Sequence, residues 1–186
     1  TLLPLKAANP DLELLIPEAN RAFVRERLGV APDGSGDWFT GLDAWESTTV
    51  KGLSFTGVPA AHNEVERDEA GRCRFLGYIL ELGRWTLYHS GDTRPIPGLA
   101  ERLKPYRIDL AMLPINGSLE ERRVAGNLWG QEAAALADNA GIRWVVPCHY
   151  DLFAFNTVTP LAFQEACEAR RLEYGLLRPG GRLSLS

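Results

Sequence analysis

Three polar residues each stand at the end of an apolar run: His62 after Leu53-Ser-Phe-Thr-Gly-Val-Pro-Ala-Ala, Asp92 after Trp85-Thr-Leu-Tyr-His-Ser-Gly, and His149 after Arg143-Trp-Val-Val-Pro-Cys. Runs of this kind read as buried strands, and Ser90-Gly91 turns the chain at once, so Asp92 is expected at a strand's C-terminal end, where α/β folds place their chemistry. Imidazole with carboxylate suits Zn, Mn or Fe, and a carboxylate can bridge two cations. His62, Asp92 and His149 are therefore candidate metal ligands, with Asp92 also the candidate catalytic residue, and the three are expected to converge. A single His beside an apolar run is usually structural. Here, however, His62 and His149 each follow a Val-Pro step, Val58-Pro59 and Val146-Pro147, and proline does not continue a central strand, which puts both just past a sheet edge. His89 sits three residues before Asp92 between neighbours that face the other way, and reads as a support behind the ligands or a packing residue. Cys148 is expected opposite to His149 if the strand pleat continues, and so in the core. Taken alone, Ser90 to Thr93 is also an ordinary Asx turn.

The elements that must position these residues follow from the pattern of the chain. Residues 12–16 read as a short strand, 18–28 as a surface helix stopped by Gly29, and 31–41 as a loop. Residues 48–50 and 53–58 read as consecutive strands. Residues 73–82 and 85–88 form a hairpin about Gly83-Arg84. Residues 98–104 are a short helix, 108–113 a strand closing at Pro114, 131–139 an alanine-rich helix capped by Gly141, and 144–146 the strand leading to His149. Thr159 is placed as the N-cap of a further helix with Pro160 at its first position, and residues 174–177 and 182–185 as a last hairpin. The five tryptophans read as core. Strands and helices alternate late in the chain and hairpins dominate its middle, a mixture that suits two packed sheets with helices outside.

The chain has 186 residues, enough for a single α/β domain over 1–186 with a real core. Its formal charge is −4, with no Lys/Arg-rich run, which argues against a nucleic-acid or anionic-membrane partner and leaves a small-molecule substrate. Its three cysteines are odd in number and lack a CxxC spacing, against a disulfide framework or zinc ribbon; a reducing cytoplasm is the expected location. No apolar run has the length of a membrane span or the character of a secretory leader.

Gly77-Tyr-Ile-Leu-Glu-Leu, Thr86-Leu-Tyr-His-Ser-Gly-Asp-Thr, Asp109-Leu-Ala-Met-Leu-Pro-Ile-Asn and Val146-Pro-Cys-His-Tyr-Asp, in this order, resemble the metallo-β-lactamase superfamily. Within it the likeness is to the L-ascorbate-6-phosphate lactonase-like branch, with the N-acylphosphatidylethanolamine phospholipase D branch next. The resemblance implies a four-layer αββα sandwich and a two-metal hydrolase, with Zn or Mn both open. It makes His62 a ligand of the first metal, Asp92 the bridging aspartate and His149 a ligand of the second. Asn116 and Tyr150, beside matched motifs, are expected to face substrate. The signature His-x-His-x-Asp-His loop is absent from the 186 residues, and the opening Thr1-Leu-Leu-Pro-Leu resembles the segment after that loop. Much of the N-terminal half of the sandwich is therefore expected to lie elsewhere, in a preceding segment or a homo-oligomer.

Two cations a few ångströms apart would lower the pKa of a shared water to near neutrality, from about 15.7 in bulk, for attack on a carbonyl or phosphoryl centre. The expected activity is thus metal-dependent hydrolysis of a lactone or a phosphate-bearing small molecule. The alternatives are a phosphodiesterase of the phospholipase D-like branch, or a non-catalytic truncated homologue that folds with a partner, because one Asp and two His cannot complete two four-coordinate sites.

Overall fold

The computed structural model describes residues 2–124 and 126–185. Thr1, with which the expected post-loop segment opens, lies outside them. The elements in order are α1 (Leu2–Ala8), β1 (Leu14–Pro17), α2 (Arg21–Leu28), β2 (Phe39–Leu42), β3 (Ser47–Val50), β4 (Leu53–Pro59), β5 (Leu76–Leu82), β6 (Trp85–His89), α3 (Leu99–Leu103), β7 (Leu110–Pro114), α4 (Gly130–Ala140), β8 (Trp144–Cys148), α5 (Leu161–Arg170) and β9 (Glu173–Tyr174). Strands β3 to β9 form one seven-stranded sheet in sequence order. Its first half is an antiparallel meander, β3 to β6, and its second half is parallel, β6 to β9, with α3, α4 and α5 as the crossovers. Strands β1 and β2 form a separate parallel pair.

The two faces of the large sheet differ. Cross-strand partners point to the same side, and the row Thr56, Ile79, Tyr88, Ala111, Val145 is fully buried, with Ile79, Tyr88, Ala111 and Val145 in one core with residues of α3, α4 and α5. One residue along, the row Phe55, Leu80, Leu87, Leu110, Trp144 faces the other way, and each member is only half-buried. The buried row draws its helices close through small residues. The alanines of α4 at 133, 134, 137 and 140 are buried, and a Cβ on Gly130 would lie 2.7 Å from the backbone nitrogen of Phe163, so α4 and α5 meet backbone against backbone at that point.

Several local expectations need correction. Residues 39–42 form β2, not loop: four residues are too few for a clear alternation, and the parallel partner β1 supplies the order. The closing hairpin is not formed. Residues 173–174 alone pair, with β8, and Leu183 packs back near Gly175 without a ladder. Pro160 precedes α5 without a side-chain cap from Thr159. None of the five tryptophans is fully buried; Trp85 and Trp144 belong to the half-covered face, and Trp45 stacks on Tyr106 under the Arg102 guanidinium. Pro147 stands inside β8, because Cys148 turns its carbonyl to Ile115 of the β7 side and Pro147 therefore faces the side where β9 has already ended. No helix among the described residues is long and apolar enough to cross a membrane.

Candidate metal centre

Asp92, His149 and His62 all arrive at the C-terminal edge of the sheet, by three different routes. Asp92 follows β6 through the Ser90-Gly91 turn. Gly91 has φ 64°, and its amide donates to His89 Nδ1 at 3.0 Å, so His89, exposed at the end of β6, fixes the turn from outside. The turn also needs Gly77 on the neighbouring strand: a Cβ there would meet the carbonyl oxygens of His89 and Ser90 at 2.5 Å. His149 follows β8 with φ 59°, in the left-handed region that a non-glycine residue seldom adopts. That backbone twist breaks the strand alternation. The pleat that would have set Cys148 opposite to His149 does not continue, and the Cys148 thiol is only half-buried; burial, and secondly the nearby Asp92 carboxylate, push its pKa up to about 12.

His62 follows β4, and its position is tied to Asp92 by a residue the sequence reading passed over. Thr93 is fully buried; its Oγ1 accepts from the Ala61 amide at 3.0 Å and donates to the Arg94 carbonyl, while the Arg94 amide returns to the Ala61 carbonyl at 2.7 Å. His62 and Asp92 are thus the chain neighbours of one buried knot, Ala61 with Thr93. Its one sequence signal is a hydroxyl residue directly after the turn aspartate.

The outcome is that Asp92 Oδ2 lies 3.3 Å from His149 Nε2 and 3.8 Å from His62 Nε2. Two ligands bound at about 2.0–2.1 Å to a tetrahedral ion stand about 3.4 Å apart, so the Asp92–His149 separation fits a shared cation. His62 Nδ1 faces the Gly126 carbonyl, an acceptor, at 3.4 Å, and Nε2 is the ring nitrogen on the Asp92 side. The Nδ1 of His149 is buried without a protein partner. The donor set therefore fits a divalent cation of borderline hardness. Among the described residues, no three or more His, Cys, Asp or Glu side chains close on a common point as a finished cage does; His62 and His149 each approach Asp92 Oδ2.

A cleft of about 430 Å³ opens over His62 and Asp92, walled by Leu15 and Pro17 of β1 and by Phe75 and Tyr78. The Phe75 ring meets His62 edge-on at 6.1 Å. Tyr78 has its hydroxyl buried without a partner and its pKa raised to about 12 by burial. A second cavity, about 350 Å³, lies between α3 and α4 on the helix side and includes none of the three converging residues. Asn116 is fully buried, its amide donating to Asn156 Oδ1 at 2.9 Å, and so bears on the site through the loop it holds. Tyr150 is half-buried against the helix-side core, and burial followed by Asp151 raises its pKa.

Residues 3–150 match the beta-lactamase superfamily domain. The UPF0173 metal-dependent hydrolase of Thermococcus kodakarensis is 34% identical over 146 residues, 74% of this chain and 58% of that protein. Its counterpart in Rubrobacter xylanophilus is 32% identical over 149 residues, 76% of this chain and 59% of that one. The solved structure of Igni18, a metallo hydrolase from Ignicoccus hospitalis, superposes with a TM-score of 0.65 at 19% identity, over 91% of this chain and 77% of that one. The chain belongs to the metallo-β-lactamase superfamily and has its fold. It spans a little under three fifths of the length of the curated relatives it matches.

Proposed function

We propose that the chain is the Asp92-bearing part of a metal-dependent hydrolase whose substrate is a small molecule with a lactone or phosphate group. The observation that carries this reading is the approach of two imidazole nitrogens to one Asp92 oxygen, at 3.3 and 3.8 Å, with an open cleft over His62 and Asp92. Relatives named metal-dependent hydrolases support it. His62, Asp92 and His149 would hold the divalent cations, Zn or Mn. When bound, such ions acidify water and polarise a carbonyl or phosphoryl oxygen. The chain's own part is positional. The Ala61–Thr93 knot holds His62 against Asp92, the Gly126 carbonyl faces His62 Nδ1, and Phe75 and the β1 residues wall the cleft. A substrate anchored there presents its reacting centre to the Asp92 edge.

The test is metal content by plasma emission together with turnover of a lactone panel and a phosphodiester panel, before and after chelation. Turnover of lactones or phosphate-bearing compounds that chelation removes and Zn or Mn restores is the expected result; turnover untouched by chelation overturns it. A second reading, a non-catalytic homologue that folds with a partner, is favoured by the absence of a closed metal cage among the described residues. Stoichiometric metal binding decides against that reading.

A further inference from the structure

Among the side chains that line the cleft over His62 and Asp92, Asp92 is the one carboxylate and Arg74 the one permanent cation. Arginines 21, 25 and 72 are each held by a carboxylate: Arg21 by Glu18 and Asp37, Arg25 by Asp37 at 2.7 Å, and Arg72 by Asp68 at 2.7 Å. Arg74 differs. Among the described residues its guanidinium has neither an ion pair nor a hydrogen bond. Its backbone, by contrast, is pinned on both sides: the Arg74 amide donates to the Glu66 carbonyl at 2.9 Å, and the Arg74 carbonyl accepts from Asn20 Nδ2 at 2.8 Å. The next residue, Phe75, sets its ring edge-on to His62 at 6.1 Å, and its carbonyl accepts from the Ala60 amide. A fixed segment thus brings an exposed, uncommitted guanidinium to the same cleft as two of the converging ligands. A solvated arginine on open surface needs no explanation. One of the few charged groups in a cleft walled by Leu15, Pro17, Phe75 and Leu76 has the placement of a group that orients a ligand.

We propose that Arg74 anchors the substrate in this cleft, and that the substrate carries an oxyanion, carboxylate or phosphate, apart from the bond that is hydrolysed. The inference rests on the hydrolase reading and adds the residue that selects the substrate and the charge it selects. A guanidinium presents a planar fork of N–H donors that meets two oxygens of a carboxylate or phosphate at once, which an ammonium does not. Because the Arg74 fork is not spent on a protein carboxylate, taking up an anion breaks no ion pair. The Asp92 carboxylate repels an anion. The oxyanion therefore belongs at the Arg74 wall, and the uncharged, reacting part of the substrate at Asp92.

The experiment titrates the protein, first chelated and then supplied with zinc, with phenylphosphonate, benzoate and the neutral benzamide, followed by calorimetry and by the ring-proton shifts of Phe75. At least one of the two anions is expected to bind and to shift Phe75. Arg74→Gln should weaken that anion by about tenfold or more, and Arg74→Lys, which keeps the charge but not the fork, by about threefold, while benzamide binds alike to wild type and variants. The tighter anion shows whether the fork takes phosphate or carboxylate. The urea midpoint of Arg74→Gln should equal that of wild type, since no protein partner is lost, so weaker binding cannot come from unfolding. An anion affinity that Arg74→Gln leaves unaltered, no binding of either anion in either metal state, or a loss shared by benzamide overturns the proposal. So does binding that appears only with zinc and equally in the variant, which assigns the anion to the metal. Zinc uptake separates the two readings: uptake with anion affinity unaltered in Arg74→Gln removes only the Arg74 role, whereas an anion site that Arg74→Gln abolishes in a protein that takes up no zinc removes the hydrolase reading and keeps the site.

Discussion

His149 reaches Asp92, 3.3 Å from Nε2 to Oδ2, because His149 itself leaves its strand at φ 59°. The close approach is thus built into a backbone conformation that costs energy and that the loop to Thr157 holds in place. Asp92→Ala removes the group that faces both imidazoles, so metal binding should be lost outright. His89→Ala removes only the acceptor for the Gly91 amide, and metal affinity should fall by about 10- to 100-fold, the range for residues that orient ligands. Metal titration of the two variants checks this; equal losses would show that His89 has been given the wrong part.

Thr93→Val keeps the volume and removes the acceptor for the Ala61 amide, in a place with no exposure. A buried donor left without a partner costs about 1–3 kcal/mol, and here the loosened knot joins His62 to Asp92. The variant should unfold at lower denaturant concentration and bind metal more weakly, whereas Thr93→Ser should restore most of both. A Val variant that is destabilised with unaltered metal affinity would confine Thr93 to a role in stability.

Much of this was legible in the residues. His62, Asp92 and His149 were readable because each ends an apolar run, and the helices because glycines 29 and 141 stop them in left-handed conformation. What was illegible depends on contacts between distant segments. The strand at Phe39–Leu42 exists through its parallel partner, and the departure of His149 from the alternation of β8 turns on its own positive φ. The hydrogen bond from the Arg122 guanidinium to the Thr157 carbonyl joins residues 35 apart in sequence, and no local pattern announces it.

A carboxylate pair set among arginines governs acid stability near the first strand. Asp37 is held below the ordinary carboxylate range chiefly by hydrogen bonds from Arg25, and Glu18 by hydrogen bonds from Arg21. Depressed folded-state values mean that this stabilisation is complete above the unfolded values of about 4 and is lost as pH falls through the folded ones. Urea midpoints should therefore hold level above about pH 5 and fall below about pH 4, less steeply in Asp37→Asn, which lacks one of the groups that must be protonated. An acid limb of the same steepness in the variant would mean that Asp37 contributes nothing to it. Since these pairs are partly exposed, added salt should shrink the difference between wild type and variant.

The remaining prediction concerns the row Phe55, Leu80, Leu87, Leu110 and Trp144, which crosses five strands with each member half-buried, while the row one residue along is sealed by helices. A sheet carrying large side chains on both faces is built to be covered on both, and two sheets packed face to face give the layered sandwich of this superfamily. Apolar surface of this extent drives association at roughly 25 cal/mol per Å². The 186-residue chain in isolation should therefore run by light scattering as a dimer or larger species, and Leu87→Lys with Leu110→Lys should shift it to a monomer without disturbing the helix-side core. Two cations bound tightly by a compact monomer would be the contrary result: His62, Asp92 and His149 would then need further ligands from within the chain, and the half-buried face would need no cover.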